Sequence, residues 1–300
     1  MENLIVFTLK SNEIVAREAA KNLGAELGDV FFDNFADGEV LVKTLSDVKD
    51  KDVLVIESTA KKASETLFEL LLLVDSIKRS GAKSVKLYIP YFGYSRQERV
   101  SFNNEPVSCE VVARILDTAK VDEILTFDLH HKDIESFFET KFKNLPTTSL
   151  FVDYYKSYFV KHNIPLTDVV IVSPDHGANS RADGLVNGLP GTKKVILNKY
   201  RPKPNFAEHL SVDGDKIKDK VCVIIDDIID TGGTIISATE VLLNNGAKQV
   251  LVGASHGVFS HGSLDRLLNS PIADIAVTNT IESRLSSRIN VLDIAPLIKY

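Results

Sequence analysis

The 300-residue chain is written twice. Aligned against itself, "LIVFTLKSNEIVAREAAKNLG" from Leu4 runs parallel to "VIVSPDHGANSRADGLVNGLP" from Val170, an offset of about 166. "VLVIESTAKKASET" from Val53 pairs with "VCVIIDDIIDTGGT" from Val221 at about 168, and "SGAKSVKLYIPY" pairs with "NGAKQVLVGASH" at about 165. Offsets that agree this closely mark a duplicated unit, so both halves must be compatible with one architecture. Within each half a short apolar run gives way to a polar loop, then to a helical stretch that stops at glycine: residues 67–80 before Gly81, and 235–245 before Gly246. That alternation predicts right-handed crossovers and a parallel sheet flanked by helices. The expected fold class is α/β, with two duplicated, doubly wound domains.

The join is placed near "KNLPTTSL", residues 143–150, where the helical pattern after "FDLHHKDIESFF" stops at Pro146. The expected domains are therefore 1–146 and 147–300. The last stretch, from Ala273, is expected to supply one more strand and a tail that crosses back to the first half.

Charge and composition narrow the function classes. A net charge of -6 argues against a nucleic-acid surface, because backbone phosphates select a basic face. Any anion site must therefore be local. The most apolar run, "LFELLLLV", is short and carries Glu69, and the amino-terminal stretch turns amphipathic within ten residues. A soluble, cytoplasmic protein with no membrane contact is expected. Cys109 and Cys222 lie far apart in apolar segments without metal-ligand spacing, and read as buried thiols in a reducing compartment.

The local site is "VIIDDIIDTGGTI", residues 223–235. In an open parallel sheet, ligands bind beyond the carboxyl ends of the strands, where Asp226 and Asp227 fall after the apolar run 221–225. Asp230, Thr231, Gly232, Gly233 and Thr234 then precede a helix, so backbone N–H groups converge on its positive end and glycine permits close approach. That arrangement suits a monophosphate. Carboxylates beside a phosphate would repel it unless they accept hydrogen bonds from a sugar diol or share a metal ion. The plain alternative is an Asp-capped helix, but a cap needs one acid and this loop has three. At the matching place the first half has "ESTAKKASET", with neither acid pair nor glycine pair.

These residues carry a resemblance. "VIIDDIIDTGGTI" resembles the phosphoribosyl-diphosphate loop of type I phosphoribosyltransferases, and the chain is similar nearly end to end to ribose-phosphate diphosphokinases, the PRPP synthetases. The further matching stretches are "FADGEV", "PYFGYSRQER", "EPVS", "FDLHH", "SPDHGANSRA" and "KYRPKPNFAE". The resemblance implies two type I phosphoribosyltransferase-like domains. It implies an enzyme that moves the β,γ-diphosphoryl group of ATP to the anomeric hydroxyl of ribose 5-phosphate, for nucleotide biosynthesis. The chain has no GxxxxGK[ST], so ATP must bind by something other than a Walker loop.

By the same likeness Asp226 and Asp227 hold the ribose hydroxyls, and residues Asp230, Thr231, Gly232, Gly233 and Thr234 wrap the 5-phosphate. Lys199 and Arg201, in a proline-containing basic segment expected to be an exposed loop, stabilise the transition state. His130 and Asp175 hold Mg²⁺, with Asp128 and His131 as weaker possibilities. Phe35, Asp37, Gly38, Glu39, Arg96 and Gln97 form the ATP site. The turn holding the first four, which by itself would fit a simple hairpin, is contributed by a neighbouring subunit, so a homodimer or homohexamer shares each active site.

Two departures stand out. Asn103 and Asn104 replace basic residues common in relatives that respond to phosphate and ADP, and Asp133, Ile134, Glu135 and Ser136 replace a Gln-Ile-Gln-Gly pattern. Lost positive charge and added carboxylates imply muted or altered control by those anions. Two rivals were weighed. A phosphoribosyltransferase leaves the duplication and "SRQER" unexplained. A non-catalytic regulatory homologue should have lost the basic segment or the acid pair, and Lys199, Arg201, Asp226 and Asp227 are all present.

Overall fold

A run such as "VCVII" has no polar face and is stable only in a sheet covered on both sides. In the computed structural model, which describes residues 3–175, 177–200, 209–282 and 286–300, all five of its residues are buried in a six-stranded parallel sheet. The chain forms two compact units. One is Met1–Pro146 with Asn279–Glu282 and Asp293–Tyr300, and the other is Thr147–Thr278 with Ser283–Leu292.

The first unit runs β1 (Leu4–Phe7), α1 (Glu13–Leu23), β2 (Glu26–Leu27), an antiparallel ribbon of β3 (Val30–Asn34) and β4 (Val40–Thr44), then β5 (Asp52–Ile56), α2 (Ala63–Arg79), β6 (Ser84–Ile89), α3 (Ser108–Asp117), β7 (Glu123–Phe127) and β8 (Phe142–Leu145). Its main sheet has the order β2-β1-β5-β6-β7-β8, with every pair parallel. Helix α2 buries Leu67, Leu70, Leu73, Val74 and Ile77, the three-and-four spacing that puts one face on the sheet.

The second unit repeats this order. It runs α4 (Thr148–Lys161), β9 (Val169–Ser173), α5 (Asn179–Gly188), β10 (Lys193–Ile196), an antiparallel ribbon of β11 (Asn198–Tyr200) and β12 (His209–Ser211), then β13 (Val221–Ile229), α6 (Gly233–Asn244), β14 (Gln249–Gly257), α7 (Ser263–Leu268), β15 (Asp274–Thr278) and β16 (Ile289–Leu292). The sheet order β10-β9-β13-β14-β15-β16 matches the first strand for strand. Both halves insert their ribbon at the same topological place, between the second and third strands of the main sheet.

The duplication reaches single hydrogen bonds. Asp50 and Asp219 both adopt left-handed backbone, φ 57° and 61°, and donate their amides to Gly81 and Gly246 at 2.9 and 2.8 Å. Those two glycines have φ of 91° and 93°, the helix-ending conformation that side chains resist.

At the join, β8 and α4 are separated only by Pro146 and Thr147, and the two units part there. Two local expectations are corrected. The segment before the join, Lys132–Phe137, is a short 3-10 helix anchored by fully buried Ile134. The stretch from Ala273 supplies two strands, not one: β15 pairs with β14, and β16 pairs with β15 at the sheet edge. In the first unit the carboxyl-terminal residues are held by polar contacts: Tyr88 donates its hydroxyl to the Lys299 carbonyl at 2.9 Å, and Tyr300 shares a 2.8 Å bond with Ser84 Oγ.

Candidate active site

The acid pair sits inside a strand, not after it. Pairing of β13 with β9 ends at Ile224, but β13 continues against β14 to Ile229, with Asp226 opposite Ala254. The acids therefore appear where the strand loses one neighbour while keeping the other, which opens space beside them without freeing the backbone. Asp227 is 5% exposed, and its amide donates to Asp226 Oδ1 at 2.9 Å.

Burial first, and then the charge of Asp227, push the Asp226 carboxyl well above its ordinary range, with Arg181 acting in the opposite direction. An acid raised in this way is harder to ionise in the folded chain than in the unfolded one. The cost is absent below the ordinary carboxylate range and grows as pH rises toward the raised value. Asp226→Asn is therefore expected to stabilise the fold near neutral pH by roughly 1 kcal/mol, about 2–4 °C in Tm. Calorimetry at acidic and neutral pH checks this, since the gain should disappear in acid.

The turn that follows is shaped for an anion. Gly232 is the N-cap of α6 with φ 76°, and no side chain caps the helix. The alternative of an Asp-capped helix is thereby excluded, as the three acids of the loop implied, and the first-turn N–H groups of α6 carry no side-chain cap. The two glycines are not equivalent. A Cβ at Gly232 would meet Leu267 Cγ at 3.1 Å in a backbone conformation that side chains rarely adopt, whereas one at Gly233 would meet nothing within 4 Å. The turn is braced from α7, where Arg266 Nη2 donates to the Thr231 carbonyl at 2.8 Å. Asp230 is half-buried, and Thr231, Gly233 and Thr234 are exposed. One strand, turn and helix thus bring together all seven residues read from the sequence as the sugar-phosphate set.

The other predicted residues occupy separate loops. Phe35, Asp37, Gly38 and Glu39 form the turn of the β3–β4 ribbon, closed by Phe35 N to Glu39 O at 2.8 Å and by Glu39 N to Asp37 Oδ1 at 3.1 Å. The turn is solvent-facing, and Phe35 is 54% exposed. Arg96 and Gln97 are exposed on the loop after β6. Gln97 also seats α3: its side-chain oxygen accepts from Ser108 Oγ at 2.7 Å and its carbonyl accepts from the Cys109 amide at 3.2 Å. His130 is exposed two residues past buried Asp128, beyond β7. Asp175 follows β9, and its Oδ1 accepts from the amides of Gly177 and Ala178 at 2.8 and 3.1 Å, leaving its second oxygen outside that turn.

Lys199 corrects the loop expectation: its backbone lies in β11, opposite Leu210 of β12. The ribbon forms because the prolines at 202 and 204 come after this strand. Arg201, with Lys203 and the rest of the segment to residue 208, lies outside the described residues.

The sequence reading passed over Arg181. It stands early in α5, with Nη2 at 3.8 Å from Asp227 Oδ2 and side-chain exposures of 14% and 7%. The available signal was an arginine in the first turn of the helix following the strand next to the acidic one.

Comparison with known proteins agrees with this geometry. Residues 4–119 match a family profile described as the N-terminal domain of ribose phosphate pyrophosphokinase, and residues 169–299 match the phosphoribosyl synthetase-associated domain. The chain is 38% identical over 299 residues to a ribose-phosphate pyrophosphokinase of Bacillus cereus, covering 99% of this chain and 92% of that protein. It is 40% identical over 299 residues to the protein of that name from Halalkalibacterium halodurans, with the same coverage. The crystal structure of phosphoribosylpyrophosphate synthetase from Mycobacterium smegmatis superposes with a TM-score of 0.88 at 32% identity, covering 99% of this chain and 96% of that one. A buried acid pair, an uncapped helix start and near-complete coverage at these identities lead to one assignment: the chain belongs to the ribose-phosphate pyrophosphokinase family.

Proposed function

We propose that this chain is a ribose-phosphate diphosphokinase, converting ATP and ribose 5-phosphate into 5-phosphoribosyl 1-diphosphate and AMP. The observation that carries the reading is the junction of β13 and α6, where a buried acid pair stands beside open helix amides. A sugar phosphate satisfies both ends: its vicinal hydroxyls donate to Asp226 and Asp227, and its 5-phosphate accepts from the amides of the Asp230 to Thr234 turn. Held there, the anomeric oxygen attacks the β-phosphorus of ATP. A new O–P bond forms, the bond from that phosphorus to the α,β-bridging oxygen breaks, AMP leaves, and the hydroxyl proton passes to solvent.

Charge develops on the transferring group, and positioned cations are the main catalytic resource for such a step. Lys199 and Arg201 supply them from the ribbon segment. Phe35 offers an aromatic face to the base of ATP, with Asp37, Gly38, Glu39, Arg96 and Gln97 completing the nucleotide site. Mg²⁺ suits the donors present. Asp175 keeps an oxygen beyond its turn, and magnesium takes one or two protein oxygens with waters and phosphate oxygens filling its shell. His130, reaching the ion directly or through water, and Asp175 would hold it, and the ion would neutralise phosphate charge. Among the described residues no cluster of three or more His, Cys, Asp or Glu side chains could hold a metal ion.

The assay is purified protein with ATP, Mg²⁺ and ribose 5-phosphate. Stoichiometric AMP and PRPP are the expected products, and formation of ADP instead would overturn the transfer of diphosphate.

The same reading makes the enzyme a homo-oligomer with shared sites, supported by the exposed apolar face of the ribbon, where Phe31, Phe35 and Leu41 meet solvent. An Asp37→Ala, Glu39→Ala double variant and a Lys199→Ala variant, each nearly inactive, should regain up to about a quarter of wild-type activity when unfolded together and refolded as mixed dimers. Mixtures no better than the sum of the two would place each site within one chain. A cytoplasmic location is supported by two buried free thiols, both pushed up to about 12 by burial, and by the absence, among the described residues, of a helix long and apolar enough to cross a membrane. Altered control by phosphate and ADP is supported by the exposure of Asn103, Asn104, Asp133 and Glu135.

A further inference from the structure

Two adjacent carboxylates on a strand withdrawn from water have to settle their mutual repulsion. Without help, one of them takes up a proton. A proton shared by the pair would turn a charged acceptor into a neutral group, and hydrogen bonds to a charged acceptor are roughly twice as strong as those to a neutral one. Recognition of a diol by this pair therefore depends on what holds it ionised.

The strand carries no cation that could do so. Among the described residues, the ionisable groups of the elements around the pair are Asp230 at the end of β13, His256 on β14, Asp175 on the loop after β9, Arg181 and Asp183 on α5, and Glu240 on α6. Among these, Arg181 alone is a permanent cation. Its guanidinium lies 3.8 Å from Asp227, with both side chains nearly out of water, so the interaction is little screened. An exposed ion pair at that distance would contribute next to nothing, and burial makes this one effective. The burial also sets a condition: Arg181 sits where a lost partner would leave a charge stranded in a site of low polarity.

We infer that Arg181 is a positioning residue for ribose 5-phosphate, opposing protonation of the Asp226–Asp227 pair and orienting it so that both acids accept hydrogen bonds from the sugar's vicinal hydroxyls. The inference rests on the assignment of the acid pair to the sugar. Burial and then Asp227 raise the Asp226 carboxyl, and Arg181 is the charge that works against them. Arg181 stands against Asp227 and would act on the sugar through the acids, so its removal acts on binding much more than on turnover.

The test is calorimetric binding of ribose 5-phosphate to the full-length protein between about pH 7 and pH 9, where the sugar's own phosphate is already dianionic, with kcat and KM measured on the same preparations. Arg181→Met should weaken binding about 30-fold at the lower pH and by less than about 5-fold at the higher, as the pair gives up its proton, while wild-type affinity stays level. Arg181→Lys should lie within about 5-fold of wild type throughout, because it restores the charge without the fork geometry. Should the Met variant fail to fold, Arg181→Gln takes its place. Loss of affinity that is the same at both pH values, or a Lys variant that folds but binds no better than the Met variant, would overturn the role of Arg181 and leave the sugar site standing. Wild-type protein that does not bind ribose 5-phosphate would overturn the sugar site, and this role with it.

Discussion

Lys199→Ala is expected to lower kcat by about a thousandfold while the KM for ribose 5-phosphate changes by less than about threefold. The magnitude follows from what the residue is asked to do. The transferring diphosphoryl group gains charge on its oxygens only as the bond to AMP breaks, so a cation placed against it binds the transition state more tightly than the bound substrate. Removing it then appears in turnover and not in affinity. The backbone of Lys199 lies in the β11–β12 ribbon, and the proposed sugar-phosphate set comes from β13, the turn after it and α6. Steady-state kinetics with each substrate varied decides the matter, and a loss confined to KM would contradict the role.

Glu57→Ala costs about 3 kcal/mol or more of folding stability, read from the shift of a urea midpoint at unchanged slope. Glu57 follows β5, is 1% exposed, and lies across the loop that follows β1. Its carboxylate accepts from the amides of Leu9 at 2.8 Å, Lys10 at 3.4 Å and Ser11 at 3.0 Å, and from the Thr8 hydroxyl at 3.0 Å. Truncation strips the acceptor from the buried Leu9 amide and from three part-buried donors at once, which costs more than the loss of any one bond. A cost below about 1 kcal/mol would mean that water replaces the carboxylate freely. The contrast with the second half is instructive. There the loop after β9 is closed by its own residue Asp175, and the acids of β13 remain beside the α6 amides. The first half instead spends a carboxylate internally, on the amides of its own first loop.

Much of the fold was legible because duplication, strand hydrophobicity and glycine-stopped helices are properties of a few neighbouring residues. The apolar run from Val221 could only be a buried parallel strand, and Gly81 and Gly246 could only end helices. The sugar-phosphate set was legible for the same reason, since its seven residues are nearly consecutive. Boundaries were less legible. The acids were read as lying beyond the strand because polarity normally ends a buried run, but β14 extends far enough to keep β13 hydrogen-bonded through both of them. The join was legible at Pro146, where the units part, but the sequence did not show that β8 and α4 run to within a residue of it on either side.

The sequence by itself determined that two copies of one parallel α/β unit would form, and that only the second would keep an acid pair before a glycine turn. Tertiary structure alone decided how deep that pair lies, that Arg181 stands against it, that Gly232 rather than Gly233 is confined by Leu267, and that Glu57 clasps a loop 46 to 49 residues away. The physical reason is range. Backbone preference and hydrophobic period act over a turn or a strand, whereas the charge and burial of a side chain are set by whatever the folded sheet brings beside it.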